Sequence, residues 1–243
     1  MAQALVPLKD LVQAKTRLAG LLRPAERRAL AQAMAEDVLT VLSSHSGIAQ
    51  ITLVSDDPGA GLLAQRYGAR CWSEQSLGGS GLNAIIKSAS DRLLGNGEEP
   101  LLVLHADLPL LTVQDISAVL SSQRELQGLI IGCDRQGSGT NLLAFNAAHM
   151  PRFCFGLDSC TGHVASARSA GIPVQILQRS GISVDVDVAP DLKCVMKKLH
   201  FYPRGHTAQL LHNTELGVRI TLAMAPLPDD ANFGDCVNTG MAS

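Results

Sequence analysis

The sequence predicts a single α/β domain in which a mostly parallel, doubly wound sheet is covered by helices. Its length of 243 residues suits one sizeable domain of this class. Hydrophobic residues make up 46% of the chain and aromatic residues only 3%, so the core must be aliphatic, as in parallel sheets. Strand-like and helix-like segments alternate along most of the chain, which is typical of β-α-β units.

Short aliphatic and β-branched runs predict the strands. In chain order they are QALVPL (3–8), QITLVSD (50–56), ARCWS (69–73), LLVLH (101–105), GLIIGC (128–133), NLLAF (141–145) and PVQILQ (173–178).

Helical spacing and start signals predict the helices between these strands. Pro24 opens the first, and Thr112 with Asp115 forms a capping-box pattern at the start of another. The predicted helices cover 24–43, 58–68, 81–94, 112–122 and 161–171. From about residue 206 the periodicity fades, so we expect one folded domain over 1–205 and a weakly ordered tail over 206–243.

Composition narrows the function classes. A formal net charge of -2 gives no global reason to bind nucleic acid or an anionic membrane. No apolar run reaches the roughly 20 residues that cross a bilayer, and no signal-peptide pattern opens the chain, so we expect a soluble, cytoplasmic protein. The six cysteines form no C-x-x-C pair, which favours free thiols over a zinc site or disulfides.

An acid ends the apolar strand at residues 101–105. Asp107 lies where ligands bind in an open parallel sheet, beyond the carboxyl end of a strand. It could equally cap the turn before Pro109.

A second acidic site lies in SVDVDVAPDL (183–192). Valines alternate there with Asp185 and Asp187, so we expect a strand that places both carboxylates on one face, roughly 6 to 7 Å apart. An exposed edge strand would explain the pattern, and so would a divalent cation. We hypothesise that Asp107 joins Asp185 and Asp187 around one or two Mg²⁺ ions.

The loop after the first strand is basic. Lys9, Lys15 and Arg17 lie where a doubly wound fold places its phosphate-binding turn, although solvated surface charges would look the same. The glycine-rich stretches GGSGLN (78–83) and GSGTN (137–141) suit either ligand contacts or plain turns.

Five motifs together resemble a known family. They are PLKDLVQAKTRL (7–18), HADLPLL (105–111), GSGTNLLAF (137–145), FGLDSCTGH (155–163) and VDVDVAPDL (184–192). In this order they resemble the guanylyltransferases that make the phospho-hydroxyacid precursor of the deazaflavin coenzyme F-420. The resemblance spans roughly residues 4–200 and implies a Rossmann-like, nucleotide-diphospho-sugar-transferase-like fold with a mixed, mainly parallel sheet.

The resemblance implies roles for individual residues. Asp107, Asp185 and Asp187 match the Mg²⁺ ligands, and Asp107 and Lys15 match the catalytic positions. Members of that family act on 2-phospho-L-lactate, phosphoenolpyruvate or 3-phospho-D-glycerate. The positions that match those holding the acid are Thr140, Gly156 and Ser159. Gly81 and Asn83 are similar to the helix start near the guanine of GTP, and Lys9 and Arg17 complete the expected nucleotide site.

The expected reaction needs no general base, because a phosphate monoester is already ionised at pH 7. Two other readings stay open: a cytidylyl- or molybdenum-cofactor-type nucleotidyltransferase, and a non-catalytic metal-nucleotide-binding protein. A homodimer would be in keeping with the frequency of two-fold pairs, and the pathway implies hand-over of the product to a downstream transferase.

Three further side chains lie in these motifs. His105 suits a structural role better than a sensing one. His163 matches a family position behind the substrate loop. For Cys160 a steric role in choosing the acid is more plausible than nucleophilic chemistry.

Overall fold

The computed structural model describes residues 1–11, 13–95, 99–212 and 214–224, and seven strands in these ranges form one sheet. The strands are β1 (Ala2–Pro7), β2 (Ile48–Val54), β3 (Arg70–Trp72), β4 (Leu101–Leu104), β5 (Leu129–Cys133), β6 (Thr140–Phe145) and β7 (Val174–Leu177). Their order across the sheet is β3-β2-β1-β4-β6-β5-β7. Strand β6 runs antiparallel to β4 and β5, and the other neighbouring pairs are parallel. The prediction of a mixed, mainly parallel sheet is therefore confirmed.

The helices that connect the strands begin close to their predicted positions. They are α1 (Pro24–Ser44), α2 (Ala60–Arg66), α3 (Leu82–Leu94), α4 (Val113–Leu126) and α5 (Ser159–Ser169). Three further helices of the described ranges follow the last strand: α6 (Ala189–Phe201), α7 (Gly205–His212) and α8 (Glu215–Ala223). The predicted capping box is present: Thr112 Oγ1 accepts from the Asp115 N–H, and Asp115 Oδ2 accepts from the Thr112 N–H, each at 3.1 Å. Among the described residues, no helix is long and apolar enough to cross a membrane.

Alternating side chains of the strands fill two cores, one on each face of the sheet. In β1, Ala4 and Val6 pack on one face with residues of α1, α2 and α4. Leu5 points to the opposite face, where α3 and α5 cover it. Burying such a leucine fully contributes about 1.5–3 kcal/mol. The two cores fix the carboxyl ends of β1 and β4, which carry the candidate site.

Helices α7 and α8 lie where the sequence pattern predicts a weakly ordered tail. They pack with α6 and the first turns of α1 in a third apolar cluster that includes Leu211 and Ile220. Asp37 of α1 caps α7, because its carboxylate accepts from the His206 N–H at 2.5 Å and the Thr207 N–H at 3.0 Å. The structure therefore differs from the expectation over 205–224, and the rest of the predicted tail, 225–243, lies outside the described residues.

The predicted strand at 183–192 is wrong. Residues 184–188 join no strand of the sheet, and α6 begins at Ala189. Val184 and Val186 are nevertheless buried, while Asp185 and Asp187, which follow them in turn, are partly exposed. Alternation of apolar and polar residues indicates only that one face of an extended segment is buried. A segment that packs on helices has such a face without pairing to a strand.

Candidate active site

A cavity of about 390 Å³ opens at the carboxyl ends of β1 and β4. The loop after β1 lines it, together with Leu82 at the start of α3, residues 105–107 after β4, and Asp187. The cavity thus collects five of the residues that the sequence predicts for the site, namely Lys9, Lys15, Arg17, Asp107 and Asp187. This is the position expected of a ligand site in an open, mainly parallel sheet.

A smaller cavity of about 210 Å³ shares Arg17 and Asp187 with the first. Asp185 and Arg135 also line it. Asp187 therefore lines both cavities and Asp185 lines the smaller one, and this arrangement suits a reaction that brings two ligands together.

The loop after β1 holds its basic side chains in an unusual backbone conformation. Lys15 has φ 55° and ψ 40°, a left-handed conformation that costs a residue with a Cβ roughly 1–2 kcal/mol. A single 3-10 turn follows at Thr16–Leu18, and buried Leu18 anchors it in the third apolar cluster. Strain of this kind at an ionic side chain is typical of functional loops.

Lys15 bridges two carboxylates that lie far from it in sequence. Its Nζ is 2.5 Å from Asp107 Oδ2 and 3.0 Å from Asp187 Oδ1. Burial alone would lower the pKa of Lys15, but the charges of Asp107 and Asp187 outweigh it and raise the pKa above its ordinary value. Lys15 is therefore a firmly charged ammonium group at physiological pH. Arg17 Nη1 lies 3.8 Å from the second oxygen of Asp187.

The carboxylates respond differently to this cation. Burial opposes ionisation of Asp107, yet the charges of Lys15 and His105 and the hydrogen bond from Lys15 hold its pKa below the ordinary value. Burial and the charge of Asp107 raise the pKa of Asp185. Asp185 accepts a hydrogen bond at 3.1 Å from Asn141. Asp185 is therefore a second carboxylate that interacts electrostatically with Asp107, and no described Lys or Arg forms an ion pair with it.

These acids fit a divalent cation by their chemistry. Oxygen ligands from one to three carboxylates, completed by water and phosphates, are what Mg²⁺ prefers. Asp107 Oδ1 is buried and has no hydrogen-bond partner among the described residues, which leaves it available as a ligand. In the described ranges no three His, Cys, Asp or Glu side chains are already arranged to hold a metal ion. Lys15 instead neutralises two of the three predicted ligands here.

The residues predicted to hold the acid substrate lie at the start of β6, at the start of α5 and in the loop before α5. Thr140 opens β6 and Ser159 opens α5, and the Thr140 N–H donates to Ser159 Oγ at 2.8 Å. Both residues are buried, whereas Gly156 is exposed with φ 137°, a conformation that favours glycine. The structure thus brings Thr140 and Ser159 into contact, and Gly156, three residues before Ser159, is exposed to solvent.

The predicted guanine contacts lie at the start of α3. Gly81 has φ 84° and precedes the helix, next to Leu82 in the cavity wall. Asn83 turns its amide elsewhere: Nδ2 donates to the Phe155 carbonyl at 3.0 Å, and Oδ1 accepts from the Phe155 N–H at 2.7 Å. Its side chain therefore contacts the loop before α5.

Two polar residues that sequence reasoning missed support the site. Asn141 donates to the Ile182 carbonyl at 2.9 Å as well as to Asp185, and so holds the acidic segment against β6. Asp57 accepts from the Leu11 N–H at 2.9 Å and ties the basic loop to the end of β2. Asp57 follows a strand end, as Asp107 does, so the same signal could have identified it.

Among the remaining side chains of the motifs, His163 and Cys160 are buried, and His105 lies in the wall of the larger cavity. His163 is fully buried, and burial lowers its pKa to about 4, so the imidazole is neutral at physiological pH. His105 lies with its ring centroid 5.4 Å from that of Phe155, and its Nε2 is buried without a hydrogen-bond partner. Burial raises the pKa of the Cys160 thiol, which disfavours a thiolate nucleophile.

Comparisons with known proteins match most of the chain. The family described as "Guanylyl transferase CofC like" matches residues 2–221, which include α7 and most of α8. A phosphoenolpyruvate guanylyltransferase of Sphaerobacter thermophilus is 36% identical over 190 residues, covering 78% of this chain and 90% of that protein. One of Chloroflexus aggregans is 34% identical over 192 residues, covering 77% and 93%.

A solved structure shares the fold. A crystal structure assigned to the nucleotide-diphospho-sugar transferases, from Desulfovibrio desulfuricans G20, superposes with a TM-score of 0.76 at 19% identity. The match covers 91% of this chain and 98% of that one. It confirms the nucleotide-diphospho-sugar-transferase-like architecture.

Proposed function

Because the chain belongs to the CofC-like guanylyl transferase family, we propose that it transfers GMP from GTP to phosphoenolpyruvate and releases pyrophosphate. Membership makes it a nucleotidyltransferase, so a non-catalytic role is set aside. The observation that carries the proposal is the ionic cluster of Lys15, Asp107 and Asp187 inside a cavity at the end of the sheet.

The chemistry of the acceptor fits a site without a general base. The second pKa of a phosphate monoester is near 6, so its oxygen is already an anionic nucleophile at pH 7. That oxygen attacks the α-phosphorus of GTP, the bond to the bridging oxygen breaks, and the electron pair leaves with pyrophosphate. The enzyme must then bring two negatively charged phosphate groups together in the geometry for in-line attack. This requires positive charge, which reduces their repulsion, and side chains that align them.

The basic loop supplies charge for the triphosphate. Lys9, Lys15 and Arg17 line the larger cavity, and Lys15 is the least exposed of them, with a side chain that is 10% exposed. In our proposal Lys15 contacts the phosphates and the substrate, while Lys9 and Arg17 bind the nucleotide. The backbone around Gly81, beside Leu82 in the cavity wall, approaches the guanine base.

The carboxylates supply the place for metal. Asp107, Asp185 and Asp187 would hold one or two Mg²⁺ ions, supported by the free buried oxygen of Asp107 and by the adjoining cavities. When bound, Mg²⁺ neutralises charge on the phosphates and orients them. Thr140, Gly156 and Ser159 would hold the acid.

The place of the reaction in metabolism is a further part of the proposal. The sequence motifs favour coenzyme F-420 biosynthesis, with 2-phospho-L-lactate and 3-phospho-D-glycerate as the other acceptors to consider. A cytoplasmic location, a homodimer and hand-over to a downstream transferase remain predictions for fractionation, sedimentation and pull-down experiments.

A competition assay tests the proposal. The protein is incubated with Mg²⁺, with either GTP or CTP, and with equal amounts of the three acids, and products are identified by mass spectrometry alongside released pyrophosphate. We expect guanylylated phosphoenolpyruvate with one pyrophosphate per product. Product from CTP and none from GTP would contradict the guanylyl assignment, and product from another acid alone would contradict the acceptor.

A further inference from the structure

The loop of residues 153–158, which we call the acceptor loop, is held to the domain by two side chains. Asn83 of α3 pairs with both backbone groups of Phe155, at 3.0 Å and 2.7 Å. His163 of α5 accepts from the Cys154 N–H through Nε2, at 2.9 Å. Adjacent residues of the loop are thus fixed from two different helices.

The acceptor loop depends on such anchors, because its backbone is irregular. Gly156 has φ 137° and Asp158 has φ 51°, so two of its residues adopt positive φ values. Hydrogen bonds of regular structure do not fix this path, and side-chain contacts must select it. The pairing by Asn83 resembles that of a neighbouring strand, since it satisfies the N–H and the C=O of one residue.

The ring of Phe155 connects the acceptor loop to the larger cavity by packing near two histidines. It lies 4.9 Å from the His163 ring and 5.4 Å from the His105 ring, measured between centroids. His105 lines the larger cavity beside Asp107. A shift of Phe155 would therefore move both the following Gly156 and the packing behind Asp107.

The amide of Asn83 is committed to this contact. Its Oδ1 and Nδ2 both bind the backbone of Phe155, although the residue is on the first turn of α3 beside the cavity. We infer that Asn83 is a positioning residue for the acid substrate, acting through Phe155 and Gly156, and that it is not a ligand of the nucleotide. The inference rests on the proposed function, in which the acceptor loop binds the phosphorylated acid.

Kinetic analysis of two near-isosteric variants tests the inference. Asn83→Asp keeps the acceptor for the Phe155 N–H but sets a carboxylate oxygen against the Phe155 carbonyl, and Asn83→Leu removes both hydrogen bonds. In Asn83→Leu we expect the KM for phosphoenolpyruvate to rise about 10- to 100-fold, the range expected for losing two hydrogen bonds. Asn83→Asp should raise this KM as well, because one hydrogen bond is replaced by repulsion between two oxygens. The KM for GTP should stay within about twofold of the wild type.

The control is Lys87→Met on the same helix, where Lys87 pairs with Asp91 at the surface. It should leave both KM values unchanged. A raised KM for GTP with an unchanged KM for the acid would overturn the inference and return Asn83 to the nucleotide site.

Hydrogen exchange gives a readout that does not depend on turnover. Amide exchange of residues 153–158 should accelerate in Asn83→Asp, while binding of GTP measured by calorimetry stays as in the wild type. Unchanged exchange, or weaker GTP binding, would refute the positioning role. A wild-type protein that forms no guanylylated acid would instead refute the proposed function, so the two failures are distinguishable.

Discussion

Replacement of Lys15 by methionine removes the cation between two carboxylates. The Lys15 side chain is 10% exposed and that of Asp107 is 20% exposed, so this pair is largely out of water. Asp187 is 49% exposed and can recover hydration when the lysine is lost. Breaking a buried ion pair by removing one partner costs about 3–5 kcal/mol. Because only Asp107 stays buried and unpaired, we expect the lower end, about 3 kcal/mol.

Urea unfolding in the presence of EDTA measures this cost. The matched variant is the double substitution of Lys15→Met with Asp107→Asn, in which a neutral amide replaces the stranded carboxylate. We expect the double variant to recover most of the lost free energy of unfolding, because an amide needs no counter-charge. Added Mg²⁺ should also stabilise Lys15→Met more than it stabilises the wild type, since the ion no longer competes with an ammonium group.

The reasoning would be refuted by either of two results. A loss below about 1 kcal/mol in Lys15→Met would mean that the pair behaves as an exposed one. A double variant as unstable as the single one would mean that the loss comes from packing of the lysine stem and not from the uncompensated charge of Asp107.

Three other predictions concern single side chains. Asp107→Asn should keep the circular dichroism spectrum and lower kcat by about 10²- to 10³-fold, the scale of a lost electrostatic contact; a near wild-type rate would contradict its metal-binding role. Neutral, buried His163 has a pKa of about 4, below its ordinary 6.5, so its stabilising contribution is complete above pH 6.5 and declines as the pH falls towards 4. Between pH 7 and pH 4.5 the wild type should lose roughly 2–3 kcal/mol more free energy of unfolding than His163→Gln does, and equal losses would exclude the linkage. Asp37→Ala removes the cap of α7 and should cost about 1–2 kcal/mol, with faster amide exchange in α7; unchanged exchange there would show that apolar packing alone docks the helix.

Local patterns in the sequence were sufficient to predict most of the fold. Strand and helix periodicity located β1 to β7 and α1 to α5, because each element buries one regular set of side chains. The docking of α7 was missed, since its main polar contact is Asp37, about 170 residues earlier in the chain. A side chain at that separation leaves no local signal.

The site was predictable only where a local pattern in the sequence marks a residue. Asp107 could be located because strand ends in open sheets face ligands. The bridge from Lys15 to Asp187 spans 172 residues, and no spacing rule reports it. Asn83 illustrates a further limit: its resemblance to a helix start near guanine suggested a base contact, and no local pattern indicated that its amide binds the backbone of Phe155.

A crystal structure with Mn²⁺ and a non-hydrolysable GTP analogue tests the central claim most directly, because anomalous scattering locates the ion. We predict an ion with carboxylate oxygens of Asp107, Asp185 and Asp187 at about 2.1 Å, and Lys15 released towards the phosphates. An ion bound elsewhere, with Lys15 still between Asp107 and Asp187, would contradict the account.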